Sequence, residues 1–304
     1  MDAPRFLVAG EALVDIVVPA SGTPERAPGG SPLNVAVGLS RLGIDTTLVT
    51  EIGDDGLGRL LVDHLEGSGV RLADGSVVPG NRTSTATATL DETGAASYVF
   101  DLRWDLGECV IPDGTTALHV GSLGAAVRPG RDSIVALVER ASAEGLVVSF
   151  DPNARPAFTP DHEQAWRDVQ EVAGWSTLVK LSDEDLEFLR PGQDATEVAS
   201  SLLAGQTRLV VVTFGGEGAV AMSPEASVRV ASGSSNVADT VGAGDSFMAA
   251  LLAVAVEHGL EGLDESRLTA YVAAAHEAAS ITVSRRGADP PRRAELAAGW
   301  PHLR

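Results

Sequence analysis

Residues 117–151 read ALHVGSLGAAVRPGRDSIVALVERASAEGLVVSFD. Two short apolar runs, 118–120 and 147–150, enclose a stretch at 132–143 whose apolar residues recur at helical spacing. Further apolar runs at 177–180 and 209–212, again separated by helical stretches, extend the strand–helix–strand alternation. This order predicts a parallel sheet with helices on its faces. Such a sheet takes ligands beyond the carboxyl ends of its strands, so the segments that follow each run are where chemistry is sought.

Toward the N-terminus, 6–9 and 14–18 read as strands, and 33–42 as a helix after the turn Pro28-Gly29-Gly30. Residues 46–52 read as another strand, Gly53-Asp54-Asp55-Gly56 as a turn and 57–66 as a helix. The pattern then changes. A threonine-rich alternating run at 83–90, the hairpin signal Asp91-Glu92-Thr93-Gly94 and a return strand at 96–102 predict an antiparallel pair appended to the core.

Composition narrows the function classes. Among 304 residues, 22 Lys+Arg stand against 42 Asp+Glu, a net charge of −20 that repels nucleic-acid backbones and anionic membranes. Lys180 is the single lysine, which removes the Walker-A loop, the protein-kinase strand lysine and the Ser-x-x-Lys hydrolases. There is no Gly-x-Ser-x-Gly elbow, and the first strand is followed by Gly10-Glu11-Ala12-Leu13 rather than a dinucleotide fingerprint. Cys109 is the only cysteine, the opening residues carry no basic, apolar leader, and the apolar run 249–256 is too short to span a bilayer. A cytoplasmic protein is expected.

Two glycine segments carry the candidate chemistry. The first is Asp239-Thr240-Val241-Gly242-Ala243-Gly244-Asp245-Ser246-Phe247, leading into a run of helix formers. Glycines at a helix start leave backbone N–H groups uncovered at the positive end of the macrodipole, which is an anion site. A carboxylate beside that site repels a phosphate but serves as a base for a hydroxyl attacking it. An aspartate here also stabilises a helix start on its own. The second segment is Gly29-Gly30-Ser31-Pro32-Leu33-Asn34-Val35-Ala36, whose glycines admit a polyhydroxylated ligand to the backbone and whose Asn34 amide both donates and accepts.

Together these segments resemble the two signatures of the ribokinase/phosphofructokinase-B family of carbohydrate kinases, in the family's order and over essentially the whole chain. The resemblance implies a ribokinase-like three-layer α/β/α sandwich with a mostly parallel sheet and a small β lid. The core would comprise 1–11, 31–79 and 109–304, and the lid 12–30 and 80–108. It implies Asp245 as general base, the backbone of Gly242, Ala243 and Gly244 as the anion hole, and Asp15, Gly29, Gly30 and Asn34 as sugar contacts. It further implies ATP and Mg²⁺ as cofactors, and a homodimer built through the lid.

Other matches follow from the same resemblance. Thr213-Phe214-Gly215-Gly216-Glu217-Gly218 resembles the family's ATP element, placing Thr213, Gly215 and Gly218 at the nucleotide. His276 stands where many members carry an asparagine near the adenine, and is alternatively a helix-surface histidine. Where relatives carry Asn-x-x-Glu, this chain has Ser182-Asp183-Glu184-Asp185. Ser182 and Asp185 are read as nucleotide and water-mediated Mg²⁺ contacts, or as a helix cap, and both can hold. Asp239 and Ser284 are assigned to a monovalent cation site, K⁺, that some members possess.

The branch is indicated by Asp151-Pro152-Asn153-Ala154-Arg155 and Lys180-Leu181-Ser182-Asp183-Glu184, which resemble fructokinases and 2-keto-3-deoxygluconate kinases. Asn153, Arg155 and Arg103 become substrate candidates. Arg155 would stabilise phosphoryl charge or recognise a sugar carboxylate. Fructose is favoured, with 2-keto-3-deoxygluconate as the alternative. A sugar- or nucleotide-sensing protein on the same fold is the alternative of another class; it predicts loss of the base or the glycine loop, and both are present.

Overall fold

The computed structural model describes residues 3–91, 96–233 and 236–301, so residues 92–95 of the expected hairpin lie outside the described residues. In chain order the first half comprises β1 (Arg5–Ala9), β2 (Leu13–Val18), β3 (Glu25–Gly29), α1 (Ser31–Arg41), β4 (Asp45–Val49), β5 (Ile52–Gly53), α2 (Gly56–Gly67), β6 (Arg71–Leu72), β7 (Val77–Val78), β8 (Thr85–Leu90) and β9 (Ala96–Asp101). The second comprises β10 (Ala117–Gly121), α3 (Ser122–Ala126), α4 (Gly130–Ala143), β11 (Val147–Asp151), α5 (His162–Gly174), β12 (Leu178–Ser182), α6 (Asp183–Leu189), α7 (Ala195–Leu202), β13 (Leu209–Thr213), β14 (Ala219–Met222), β15 (Ser227–Val230), α8 (Ala243–His258) and α9 (Glu265–Val283).

Nine strands form one sheet in the order β15-β14-β13-β12-β11-β10-β1-β4-β6. Pairing is parallel from β6 to β13 and antiparallel for β14 and β15. The order turns back at β1, and the carboxyl ends of β1, β10, β11 and β12 open on one crevice. Strand residues alternate between two apolar layers: Phe6 and Val8 pack with α1, α8 and α9, while Leu7 and Ala9 pack with α4 to α7. This is the three-layer α/β/α fold expected from the strand–helix alternation.

Four strands form a separate sheet in the order β3-β2-β8-β9. Its outer pairs, β2–β3 and β8–β9, are antiparallel, but the central pair β2–β8 is parallel, because the two arms leave the core at different points of the chain. The second arm is anchored by Asp55, which caps α2 through Leu57 and Gly58 N–H and also accepts from Thr83 N–H at 3.0 Å. The run read as one strand at 46–52 is broken after Val49. Glu51 turns in to accept from Asn81 Nδ2 and Asp105 N–H, each at 2.7 Å, and Ile52–Gly53 pairs with Val77–Val78 instead. Among the described residues, no helix is long and apolar enough to cross a membrane.

Candidate active site

Helix α8 starts behind Gly242, whose φ of 74° is the left-handed conformation. A side chain there would also meet Ala288, whose Cβ lies 2.5 Å from the position a methyl would take. Ala243 N–H donates to Thr240 O at 3.2 Å, closing the turn, so the open amides of the helix start are those flanking it. Asp245 lies in the first turn, buried. Ser31 Oγ donates to its Oδ1 at 2.6 Å and Asn34 Nδ2 to its Oδ2 at 2.8 Å. Burial raises the Asp245 carboxyl above the usual range against the pull of these two hydrogen bonds; nearby Asp151 raises it further and Lys180 lowers it.

The second glycine segment enters the same crevice from the small sheet. A methyl on Gly29 would sit 2.1 Å from Asp15 Oδ2, and one on Gly30, at φ 104°, would sit 2.6 Å from Glu11 O. At Gly29 a side chain would displace the Asp15 carboxylate, and at Gly30 it would meet fixed backbone. Asp15, partly buried, is raised to about 6 by burial against the opposing field of Arg155. Glu11 is buried and raised to about 7 by burial, although Gly124 N–H donates to it at 2.8 Å and Arg155 again opposes the rise. Arg155 itself is exposed and makes no ion pair among the described residues; its nearest hydrogen bond is to Ala154 O. Asn153 at φ 38° and Ser122 at φ 52° are the two non-glycine residues with left-handed backbone among those described, and both follow strand ends at this crevice. Arg103 is exposed where the β9 arm returns to the core, with its backbone tied to Ser84 Oγ.

At the other end, Thr213 closes β13, with its hydroxyl 3.4 Å from Leu181 O. Gly215 and Gly218 have φ of 49° and 105°, and a methyl on Gly218 would lie 2.1 Å from Val230 O. His276 bonds the backbone of Val230 and stands edge-on to Phe247 at 5.1 Å, so it is a partly buried packing element rather than a helix-surface histidine. Burial lowers its imidazole. Ser182 and Asp185 form a reciprocal capping box on α6, and Asp185 Oδ1 also accepts from Ala154 N–H at 2.6 Å. Asp239 accepts from Val241 and Gly287 N–H, and Ser284 Oγ donates to Ile281 O.

Between the two ends runs a polar stripe that the motif reading missed. Val179 and Leu181 face the α4–α7 layer, so Lys180 faces the opposite layer with Leu178. Lys180 Nζ donates to Asp151 Oδ2 at 2.8 Å, and both side chains are buried. On the same face, His119 Nδ1 pairs with Ser149 Oγ at 3.0 Å; burial, reinforced by Lys180, lowers its imidazole to about 3, so it is neutral.

Residues 6–294 match the description pfkB family carbohydrate kinase. The chain belongs to this family. It is similar to "Probable fructokinase-4" of Arabidopsis thaliana, 32% identical over 298 residues that cover 92% of this chain and 91% of that protein. It is also similar in structure to a fructokinase from Xylella fastidiosa solved with bound ATP, at a TM-score of 0.82, 26% identity and 93% coverage of each chain. A fructokinase double mutant from Vibrio cholerae, in a fructose, ADP and potassium ion bound form, aligns at a TM-score of 0.80 with 29% identity and 94% coverage of each chain.

In this carbohydrate kinase, the two glycine segments converge on Asp245 from 211 residues apart. Ser31 and Glu11 escaped the sequence reading. Ser31 carried a usable signal, being a hydroxyl at the first position of a helix behind two glycines; Glu11 carried none beyond an acidic residue after an apolar strand.

Proposed function

We propose that this chain is an ATP-dependent kinase that phosphorylates fructose. The observation carrying the reading is the buried carboxylate of Asp245, held by Ser31 and Asn34 at the open N-terminus of α8. Full-length similarity to proteins named fructokinase supports fructose over 2-keto-3-deoxygluconate.

The residues present fit the nucleotide. The left-handed glycine loop before α8 presents amides at a positive helix end, and Gly215 and Gly218 leave bare backbone at two positions of the β13–β14 turn. Bound ATP would supply the γ-phosphoryl group, and Mg²⁺ would neutralise part of its phosphate charge. Among the described residues no group of three acidic or imidazole side chains forms a metal cage. Both Asp185 oxygens are taken by protein donors, which leaves it a contact to Mg²⁺ through water.

Asp245 receives the proton of the acceptor hydroxyl as that oxygen bonds to phosphorus. Gly242 and Gly244 amides hold the phosphoryl oxygens, Ala243 serving mainly to close the turn. Asp15, Gly29, Gly30, the Oδ1 of Asn34, Asn153 and Arg155 orient the sugar, with Arg103 on the return arm of the small sheet. Thr213, Gly215, Gly218, Ser182 and His276 line the nucleotide side, and Asp239 with Ser284 borders a K⁺ site. The small sheet acts as a lid that excludes water and joins two chains in a cytoplasmic homodimer.

The test is initial-rate ADP release with MgATP across fructose, 2-keto-3-deoxygluconate, ribose, tagatose and adenosine. Turnover on fructose, absent without sugar, is expected. Turnover confined to the sugar acid would move the chain to the alternative branch, and silence on the whole panel would favour a sensing role.

A further inference from the structure

We propose that Lys180, fixed by Asp151, is a catalytic residue whose ammonium donates to the phosphoryl group in transit at the Gly242–Gly244 loop. The inference rests on the kinase reading above and adds a residue to its site. The geometry is specific. A methyl built on Gly244 would lie 3.7 Å from Lys180 Nζ, so the ammonium sits within van der Waals reach of the glycine loop. Asp151 takes one of its three N–H bonds at 2.8 Å, and the other two have no acceptor among the described residues. The ammonium is thus oriented, with donors to spare, toward the place where an anion binds.

The charge balance points the same way. Three buried carboxylates, Asp151, Asp185 and Asp245, surround this position. Arg155 is exposed, and Arg131, the other buried Lys or Arg among the described residues, pairs with Asp168 and Glu171 on the opposite layer. Beside Mg²⁺, a phosphoryl group entering a cluster of carboxylates gains from a fixed side-chain cation, and among the described residues Lys180 is the buried one at the loop. Burial would lower the lysine, but Asp151, Asp185 and Asp245 outweigh it and hold the ammonium above its usual value. Lys180 therefore keeps its protons throughout: the bond from the sugar oxygen to phosphorus forms as the bond from phosphorus to the ADP oxygen breaks, and the hydroxyl proton goes to Asp245. A lysine whose sole task was to neutralise Asp151 would need neither spare donors nor a place beside the loop.

Because Lys180 is the only lysine, ¹⁵N-lysine labelling gives one ammonium signal. That signal is expected to move little with MgADP and strongly when fluoroaluminate, a planar mimic of the transferred group, is added; equal spectra in the two states would overturn the contact. Lys180→Met is expected to lower kcat by about 10²- to 10³-fold, as for loss of one transition-state donor, with the fructose KM within about threefold. Lys180→Met combined with Asp151→Asn removes the buried unpaired carboxylate. It is expected to regain thermal stability yet keep the low kcat, whereas wild-type kcat in the double variant would reduce Lys180 to a structural counter-ion. If the wild type turns over no fructose, the substrate reading fails separately, and the lysine signal with MgADP and fluoroaluminate still decides the contact.

Discussion

Asn34 Nδ2 lies 2.8 Å from Asp245 Oδ2, joining the first turn of α1 to the first turn of α8. An amide donor of this kind favours the ionised carboxylate, opposing the upward push of burial. Asn34→Ala removes it, so the acid limb of the kcat–pH profile should move to higher pH. Below that limb kcat should fall roughly tenfold, the worth of one hydrogen bond to a charged group. An unmoved limb would separate Asn34 from the ionisation of the base.

Asp245→Asn keeps the shape of the side chain and removes its capacity to take a proton. The expected loss in kcat is about 10²- to 10⁴-fold with sugar and nucleotide affinities close to wild type, measured by steady-state rates and calorimetry. Near-normal turnover would remove Asp245 from proton transfer.

Much of this site was legible beforehand because its chemistry sits in contiguous segments. Glycine turns that must reach positive φ, as at Gly30 and Gly242, leave their mark in local sequence. Strand–helix alternation likewise reports which layer each apolar residue faces. The polar stripe was harder to read, since His119, Asp151 and Lys180 lie on three strands and acquire meaning only when parallel pairing brings them to one face. Lys180 stood out as the only lysine, yet nothing local tied it to Asp151. The break after Val49 was hidden for a similar reason, because the partners of Glu51 are Asn81 and Asp105, remote along the chain.

The two glycines of the α8 loop should respond differently to alanine. At Gly242 the left-handed φ and the 2.5 Å approach of Ala288 Cβ make any side chain strained, and Gly242→Ala should cost about 1–3 kcal/mol in chemical denaturation. At Gly244 the added methyl has ordinary space and a helical backbone, so Gly244→Ala should unfold at or slightly above the wild-type temperature. Equal destabilisation of the two would contradict this assignment of strain.

Stability should also carry the signature of Glu11. Its folded value of about 7 exceeds the ordinary 4.5, so the folded protein binds this proton more tightly than the unfolded chain. The associated stability is complete below about pH 4.5 and is lost as pH rises through 7, a change on the order of 3 kcal/mol. Glu11→Gln should flatten this part of the stability–pH curve between pH 5 and 8, relative to wild type. Parallel curves for the two proteins would place the titration elsewhere.

Assembly can be tested on the small sheet. Register places Tyr98 beside Ala88 and Val17, and Phe100 beside Ala86 and Asp15, so Val17, Tyr98 and Phe100 share the face that carries Asp15. Tyr98 is 65% exposed although it stacks on Phe100, and β9 is an edge strand. An apolar row of this kind beside a site is a surface for a second chain's sheet to cover. Light scattering at tens of micromolar should give twice the chain mass, and Tyr98→Asp should reduce it to one chain by placing a charge within the covered row. Because the same face borders the sugar, the variant should also raise the fructose KM, while a wild-type mass of one chain would refute assembly through this face.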